Sequence, residues 1–95
     1  MKITVKFAQQ MRTLTKADQT VVNLSENANV SDLLKVLATQ YGEQLMNIIY
    51  NSEMGPFETW ASVIVDGKAL SLTHESDTKL KENSVVVLLV AASGG

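Results

Sequence analysis

The stretch Val85-Val86-Val87-Leu88-Leu89-Val90 is apolar at every position. A strand with one face in water alternates polar and apolar residues, whereas a strand buried on both sides reads as a continuous apolar run. This segment therefore predicts a strand from Ser84 or Val85 to about Val90, set inside a sheet. Even extended through Ala91-Ala92, the run is far short of the about 20 residues of a membrane span.

The rest of the chain supplies the sheet. Ile3, Val5 and Phe7 alternate with Lys2, Thr4 and Lys6, which predicts a half-buried first strand. A polar loop through Asp18 follows, anchored by Met11 and Leu14, with room for a short helical turn. Thr20 to Leu24 reads as a second strand pairing antiparallel with the first, over a link too long for a two-residue hairpin. Val30, Leu33, Leu34, Leu37, Ala38 and Tyr41 recur at helical spacing and form one apolar stripe. Ser31 is the expected N-cap, with Asp32 favourable at the positive end of the helix dipole. Gly42 is placed to end the helix in a left-handed conformation. Leu45 to Tyr50 is a second apolar cluster, either helical or a packed loop. Gly55-Pro56 breaks regular structure before a third strand, Trp60 to Val65. Asp66-Gly67 is a strong turn signal, with a short strand near Lys68 to Leu72. Ser71 to Asn83 reads as polar connection anchored by Leu80.

The order β-β-α-β-β, with a helix between two strand pairs, is an α+β solution. The helix lets the first and last strands lie parallel and central. The expected fold is a β-grasp, or ubiquitin-like, roll: a mixed four- to five-stranded sheet with one main helix on one face. A ferredoxin-like split is the competitor, but it usually needs a second full helix. One domain spans residues 1–95, with a flexible tail from about residue 91.

One helix covers one face of a sheet. Alternate residues of the last strand should therefore stay open as a partner surface, either Leu88 with Val90 or Val87 with Leu89. Alternatively, Leu45 to Tyr50, or the loop around Met11, folds back over them.

Composition narrows the function. The eight basic residues are scattered and the net charge is −2, which is no footprint for nucleic acid. There is no cysteine, so disulfides, thiolate metal sites and a cysteine nucleophile are excluded. The alternating N-terminus lacks the apolar core of a signal peptide. A cytoplasmic protein without a membrane partner is expected.

The sequence ends Ser93-Gly94-Gly95. At about 7% glycine usage, two terminal glycines arise by chance in roughly one chain in two hundred. Without a Cβ, their backbone can pass through a channel too narrow for other residues. The expectation is a slim terminal carboxylate presented to a partner enzyme.

Several blocks resemble the small sulfur-carrier family, whose members include MoaD-like molybdopterin synthase small subunits, ThiS-like thiamine sulfur carriers and archaeal ubiquitin-like modifiers. Ile3-Thr4-Val5-Lys6-Phe7-Ala8 is similar to the family's opening strand, and Val30-Ser31-Asp32-Leu33-Leu34 to its helix start. Val63-Ile64-Val65-Asp66-Gly67-Lys68 is similar to its strand ending in Asn-Gly. The loop Asp77 to Val85 and the terminal Ser93-Gly94-Gly95 complete the resemblance. Two features depart from it. The prolines common before the tail are replaced by Val90, Ala91 and Ala92, and the usual Asp-Gly-Asp of the late turn reads Glu82-Asn83-Ser84.

The resemblance implies a carrier whose own C-terminus is the working group. An E1-like (MoeB/ThiF-like) adenylating enzyme would use ATP to turn the Gly95 carboxylate into an acyl-adenylate. Persulfide sulfur would then displace AMP, leaving a thiocarboxylate. No cofactor would be bound by the chain itself. Gly94, Ser93 and Ala92 would thread the partner's channel, and Val87, Leu88, Leu89 and Val90 would contribute to docking. The leading expectation is the small subunit of molybdopterin synthase in molybdenum cofactor biosynthesis, partnered by a larger MoaE-like subunit that supplies the catalytic groups. The chain is then a sulfur-donating cosubstrate and not catalytic alone. The same activated tail could serve thiamine, cysteine or tRNA thiolation, or could join target lysines as a ubiquitin-like modifier. A plain interaction domain is a third class.

Other polar residues read as surface. Ser71, His74 and Asp77 share a loop, but a triad is defined by geometry and roles. Glu75 with Asp77, and Glu53 with Glu58, are carboxylate pairs that read as solvated surface. Trp60, Tyr41 and Phe57 read as core or rim packing.

Overall fold

The computed structural model describes residues 1–42, 45, 59–70, 75 and 77–92. Seven elements follow in order: β1 (Lys2–Gln9), α1 (Gln10–Thr15), β2 (Gln19–Asn23), α2 (Val30–Tyr41), β3 (Thr59–Val65), β4 (Lys68–Leu70) and β5 (Val85–Ala92). The strands form one sheet in the order β2-β1-β5-β3-β4. β1 and β5 run parallel, with β5 at the centre, while β2, β3 and β4 pair antiparallel to their neighbours. This is the β-grasp roll expected from the pattern, with the all-apolar strand flanked on both edges.

Alternate described residues of β1, β3 and β5 enter one core. Ile3, Val5, Val63, Val86 and Leu88 are buried against Val30, Leu33, Leu34 and Leu37 of α2 in a single cluster. The helical stripe read from the sequence is thus the face that α2 buries, with Ala38 and Tyr41 half-buried at its margin. Tyr41 meets Phe7 edge-on, with ring centroids 5.4 Å apart and planes at 85°, a favoured aromatic geometry. Met11 and Leu45 also enter this cluster. Neither therefore lies over the opposite face of the sheet. Residues 46–50 of the second apolar cluster, Gly55-Pro56 and Phe57 are outside the described residues.

The helix starts two residues earlier than the sequence reading placed it. Asn29, not Ser31, is the N-cap: its Oδ1 accepts from the Asp32 N–H at 2.9 Å. Asp32 Oδ2 accepts from the Asn29 N–H at 3.0 Å, completing a reciprocal capping box. The Asn-x-x-Asp spacing was the available signal. At the other end Gly42 has φ +91° and ψ 172°. That is an extended positive-φ conformation open essentially only to glycine, rather than the left-handed helical one expected. The loop into β5 is strapped to the start of α2: Val30 N–H donates to Thr78 O and Leu80 N–H to Ala28 O. Leu80 is the buried anchor that the sequence suggested.

Candidate functional site: the end of the central strand and the open sheet face

The register of β5 decides which side chains a partner can reach. Val86 pairs with Val5 and Leu88 with Phe7, whose side chains enter the core. By alternation, Val85, Val87 and Leu89 take the opposite face, where they are half-buried. Leu88 is fully buried. Its expected place in a docking surface is corrected accordingly: its side chain packs into the helix-side core. Val87 and Leu89 are the members of the expected patch that face outward. Val90 pairs with Gln9 and Ala61 through the backbone, and its side chain lies outside the described residues.

The open face continues sideways from these two residues. Val87 sits between Lys6 of β1 and Ile64 of β3, and Leu89 between Ala8 and Ser62. A shallow groove of about 540 Å³ crosses it, floored by Ala8 and Val87, with Lys6, Arg12 and Asp18 among its lining residues. Arg12 and Asp18 approach to 4.0 Å with both side chains largely in water, a pairing that contributes little stability. The apolar strip is therefore bordered on one side by exposed charged groups of both signs, Lys6 and Arg12 with Asp18.

The strand runs further than the sequence indicated. β5 extends to Ala92, where a flexible tail from about residue 91 was expected. Alanine has weak strand propensity, but Ala91 and Ala92 are held by pairing with Trp60 and Thr59 of β3. On the other edge the pairing with β1 stops at Val90, because the chain turns into α1 at Gln10. The chain therefore passes Val90 bonded on both sides and Ala92 bonded on one. Ala92 is a strand residue; Ser93, Gly94 and Gly95 lie outside the described residues.

At its other end β5 is fixed by a clamp that the sequence reading missed. Asp66 and Gly67 form the two-residue turn between β3 and β4, with φ +49° and +87°, the pattern of a type I′ hairpin. Asp66 also reaches across to the neighbouring strand. Its Oδ2 accepts from Ser84 Oγ at 2.9 Å and its Oδ1 from the Val85 N–H at 2.8 Å. Ser84 Oγ in turn accepts from the Lys81 N–H at 3.0 Å and is buried. Asn83 sits at φ +67°, a conformation asparagine tolerates better than most residues. The Glu82-Asn83-Ser84 variant of the late turn thus retains a residue able to adopt positive φ, followed by a buried hydroxyl. Glu82 Oε2 accepts from the Lys2 N–H at 2.7 Å, tying the same turn to β1. Replacing Asp66 with alanine should cost about 1–3 kcal/mol, because the buried Ser84 hydroxyl loses its acceptor. Alanine is also strained at positive φ. Urea unfolding should show the smaller loss for Asp66→Asn, which keeps one acceptor and tolerates the turn.

Asp77 is exposed in a turn, while Ser71, His74, Glu53 and Glu58 are outside the described residues. Among the described residues no group of three or more His, Asp or Glu could hold a metal ion. Also among them, no helix is long and apolar enough to cross a membrane.

The model of the ThiS family matches residues 5–95, nearly the whole chain. The chain belongs to the ThiS family. These are ubiquitin-like sulfur carriers and modifiers, and the matched region includes the open face, β5 and Gly94-Gly95. Solved structures share the ThiS-family fold at low identity. One is a Pyrococcus furiosus protein provisionally assigned as molybdopterin converting factor, subunit 1. It is 24% identical, with TM-score 0.72 and coverage of 92% of this chain and 93% of that one. Small archaeal modifier protein 1 of Haloferax volcanii is 16% identical, with TM-score 0.76 and 100% of both chains covered. A chain of the Amycolatopsis orientalis BexX/CysO complex is 17% identical, with TM-score 0.67 and 98% and 99% covered. No curated protein matches the sequence.

Proposed function

We propose that this chain is a sulfur carrier whose Gly95 carboxylate is adenylated and then converted to a thiocarboxylate, as the small subunit of a molybdopterin synthase. The observation that carries this reading is a family match running through Gly94-Gly95 at the exit of the central strand. Pairing holds the chain through Ala92, and three small residues follow.

The steps follow from the carboxylate's poor reactivity. An E1-like, MoeB/ThiF-like enzyme joins the Gly95 carboxylate to the AMP of ATP, releasing pyrophosphate. The terminal sulfur of a persulfide displaces AMP to give an acyl disulfide, and a second thiol attacks the other sulfur, releasing the thiocarboxylate and leaving a disulfide between the two thiols. With no cysteine in this chain, both thiols belong to partners. Covalent activation divides one difficult transfer into easier ones. The chain holds no cofactor itself; ATP is the activating partner's substrate, which places the work in the cytoplasm. Val87 and Leu89 dock the partner while the tail enters its active site. A larger MoaE-like subunit then supplies the groups that pass sulfur to the pterin precursor. The likeness to the BexX/CysO complex supports enzyme partners in sulfur transfer.

The likeness to small archaeal modifier protein 1 favours a second reading, conjugation of Gly95 to target lysines. Intact-protein mass spectrometry separates the two. The chain is incubated with ATP, a persulfide donor and the adenylating enzyme of the same organism. Carrier chemistry exchanges one terminal oxygen for sulfur, and the product then supports molybdopterin formation with the larger subunit. An unchanged mass beside an active control carrier would overturn the carrier reading. Adducts on protein lysines, with no transfer to a pterin, would establish the modifier.

A further inference from the structure

Among the described residues the outer edge of β2 is an unprotected strand edge, and its hydrogen-bonding pattern is symmetric about Val21. In an antiparallel pair alternate residues turn their N–H and C=O toward the neighbour. The Leu24 N–H donates to Met1 O, Met1 N donates to Leu24 O, and the Phe7 N–H donates to Asp18 O. By alternation along the register, residues 18, 20, 22 and 24 bond to β1. Gln19, Val21 and Asn23 therefore point their backbone N–H and C=O groups away from the sheet. Among the described residues no strand pairs with that edge.

Proteins usually blunt such an edge with charge, proline, a bulge or very short length. The opposite edge is blunted: β4 has three residues and begins with an exposed lysine, Lys68. β2 is Gln19-Thr20-Val21-Val22-Asn23, with no charge and no proline. Its central Val21 is 54% exposed, and the other exposed large apolar side chain among the described residues is Val36. Val36 lies beside the same edge, sharing a groove with Asn23 and Leu24.

We infer that this edge pairs with the β2 edge of a second copy of the chain, antiparallel and two-fold symmetric about Val21, giving one continuous sheet across two molecules. In that register Val21 faces Val21 of the second copy, and Gln19 faces Asn23 in both directions. Each opposed pair exchanges two backbone hydrogen bonds, so every outward group of the three residues is used. Apolar side chain meets apolar at the two-fold, and amide meets amide on either side. This complementarity to itself distinguishes a second copy from an arbitrary extended peptide. A five-residue seam buries less than the about 1,200 Å² at which stable interfaces begin, so the dimer is weak and forms at high concentration.

Sedimentation velocity of the full chain over a concentration series tests this pairing. The average mass should climb from the monomer's toward twice that value. Val21→Lys places two like charges at the two-fold, and should weaken association about tenfold or more with an unchanged circular dichroism spectrum. The absence of cysteine provides a second readout. Opposed residues in a hydrogen-bonded pair have Cα atoms about 5.5 Å apart, within disulfide reach. Val21→Cys should therefore oxidise to a covalent dimer much faster than Ala69→Cys on the β4 edge. A monomer at every concentration, a dimer indifferent to Val21→Lys, or equal oxidation of the two cysteine variants would each overturn the proposal. Amide shifts that move on dilution around Val87 and Leu89, with those of Gln19, Val21 and Asn23 still, would overturn it in favour of association through the open face.

Discussion

Removing Gly94 and Gly95 should leave the unfolding midpoint unchanged and abolish thiocarboxylate formation. The first outcome follows from where pairing ends. Ala92 is the last residue of β5 paired with β3, and Val90 the last paired with β1, so the deleted residues belong to no described ladder. The second follows from the proposed chemistry, because the deletion sets the terminal carboxylate, the group proposed to be adenylated, back by two residues. Gly94→Trp is the finer test. It keeps the length and the Gly95 carboxylate and adds bulk only where the proposed threading takes the backbone through a narrow channel. Misplacing a reacting group by even 1 Å can cost about a hundredfold in rate, and an indole ring blocks passage outright. Thiocarboxylate yield by intact mass should fall to background for both proteins while urea unfolding superimposes on the parent. Normal sulfur loading of the Gly94→Trp chain would show that the tail threads nothing narrow, and the threading role of Gly94 would fail with it.

Where sequence and structure agree, the reason is periodicity. Val30, Leu33, Leu34 and Leu37 repeat at helical spacing, and all four are fully buried. Ile3, Val5 and Phe7 alternate with polar residues and turn to the core together. A pattern with a polar side states which side is wet. Asp66-Gly67 was legible as a turn for a different reason, since both central positions have positive φ and the residue types favour it. The clamp from Asp66 to Ser84 and Val85 was not legible. It joins residues 18 and 19 positions apart, and nothing local in the sequence marks that approach. The short helix α1 is likewise a tertiary product. Six residues cannot pay for helix nucleation alone, and this turn is held by Met11, buried in the core. The site was legible as a composition, namely an apolar strand followed by Gly-Gly, but its outward side was not. Val85 to Val90 has no polar phase, so the sequence left Leu88 with Val90 and Val87 with Leu89 as equal alternatives.

Register with β1 supplies the missing phase, and it predicts opposite behaviour for two adjacent leucines. Leu88 pairs with Phe7 and is buried in the helix-side core. Leu88→Ala should lower stability by about 2–5 kcal/mol, the range for deleting a buried leucine side chain where the core cannot collapse around the gap. Leu89 pairs with Ala8 on the open face and is half-buried. Leu89→Ala should cost about 1 kcal/mol or less, since fewer carbon atoms lose contact and no closed cavity forms. The functional order reverses. Leu89→Asp places a charge in the middle of the apolar strip, where a docked partner would have to desolvate it, so binding to the adenylating enzyme should weaken by about tenfold or more. Leu88→Ala, assayed at a temperature where it remains folded, should bind as the parent does. Urea unfolding and isothermal titration of the same proteins read both halves. A Leu89→Asp chain that binds normally would move the docking surface off this face, whereas equal stability losses for the two alanine variants would contradict the register itself. The single-residue offset matters because a strand's side chains alternate: moving the pairing by one position would exchange the core and the partner surface along the whole of β5.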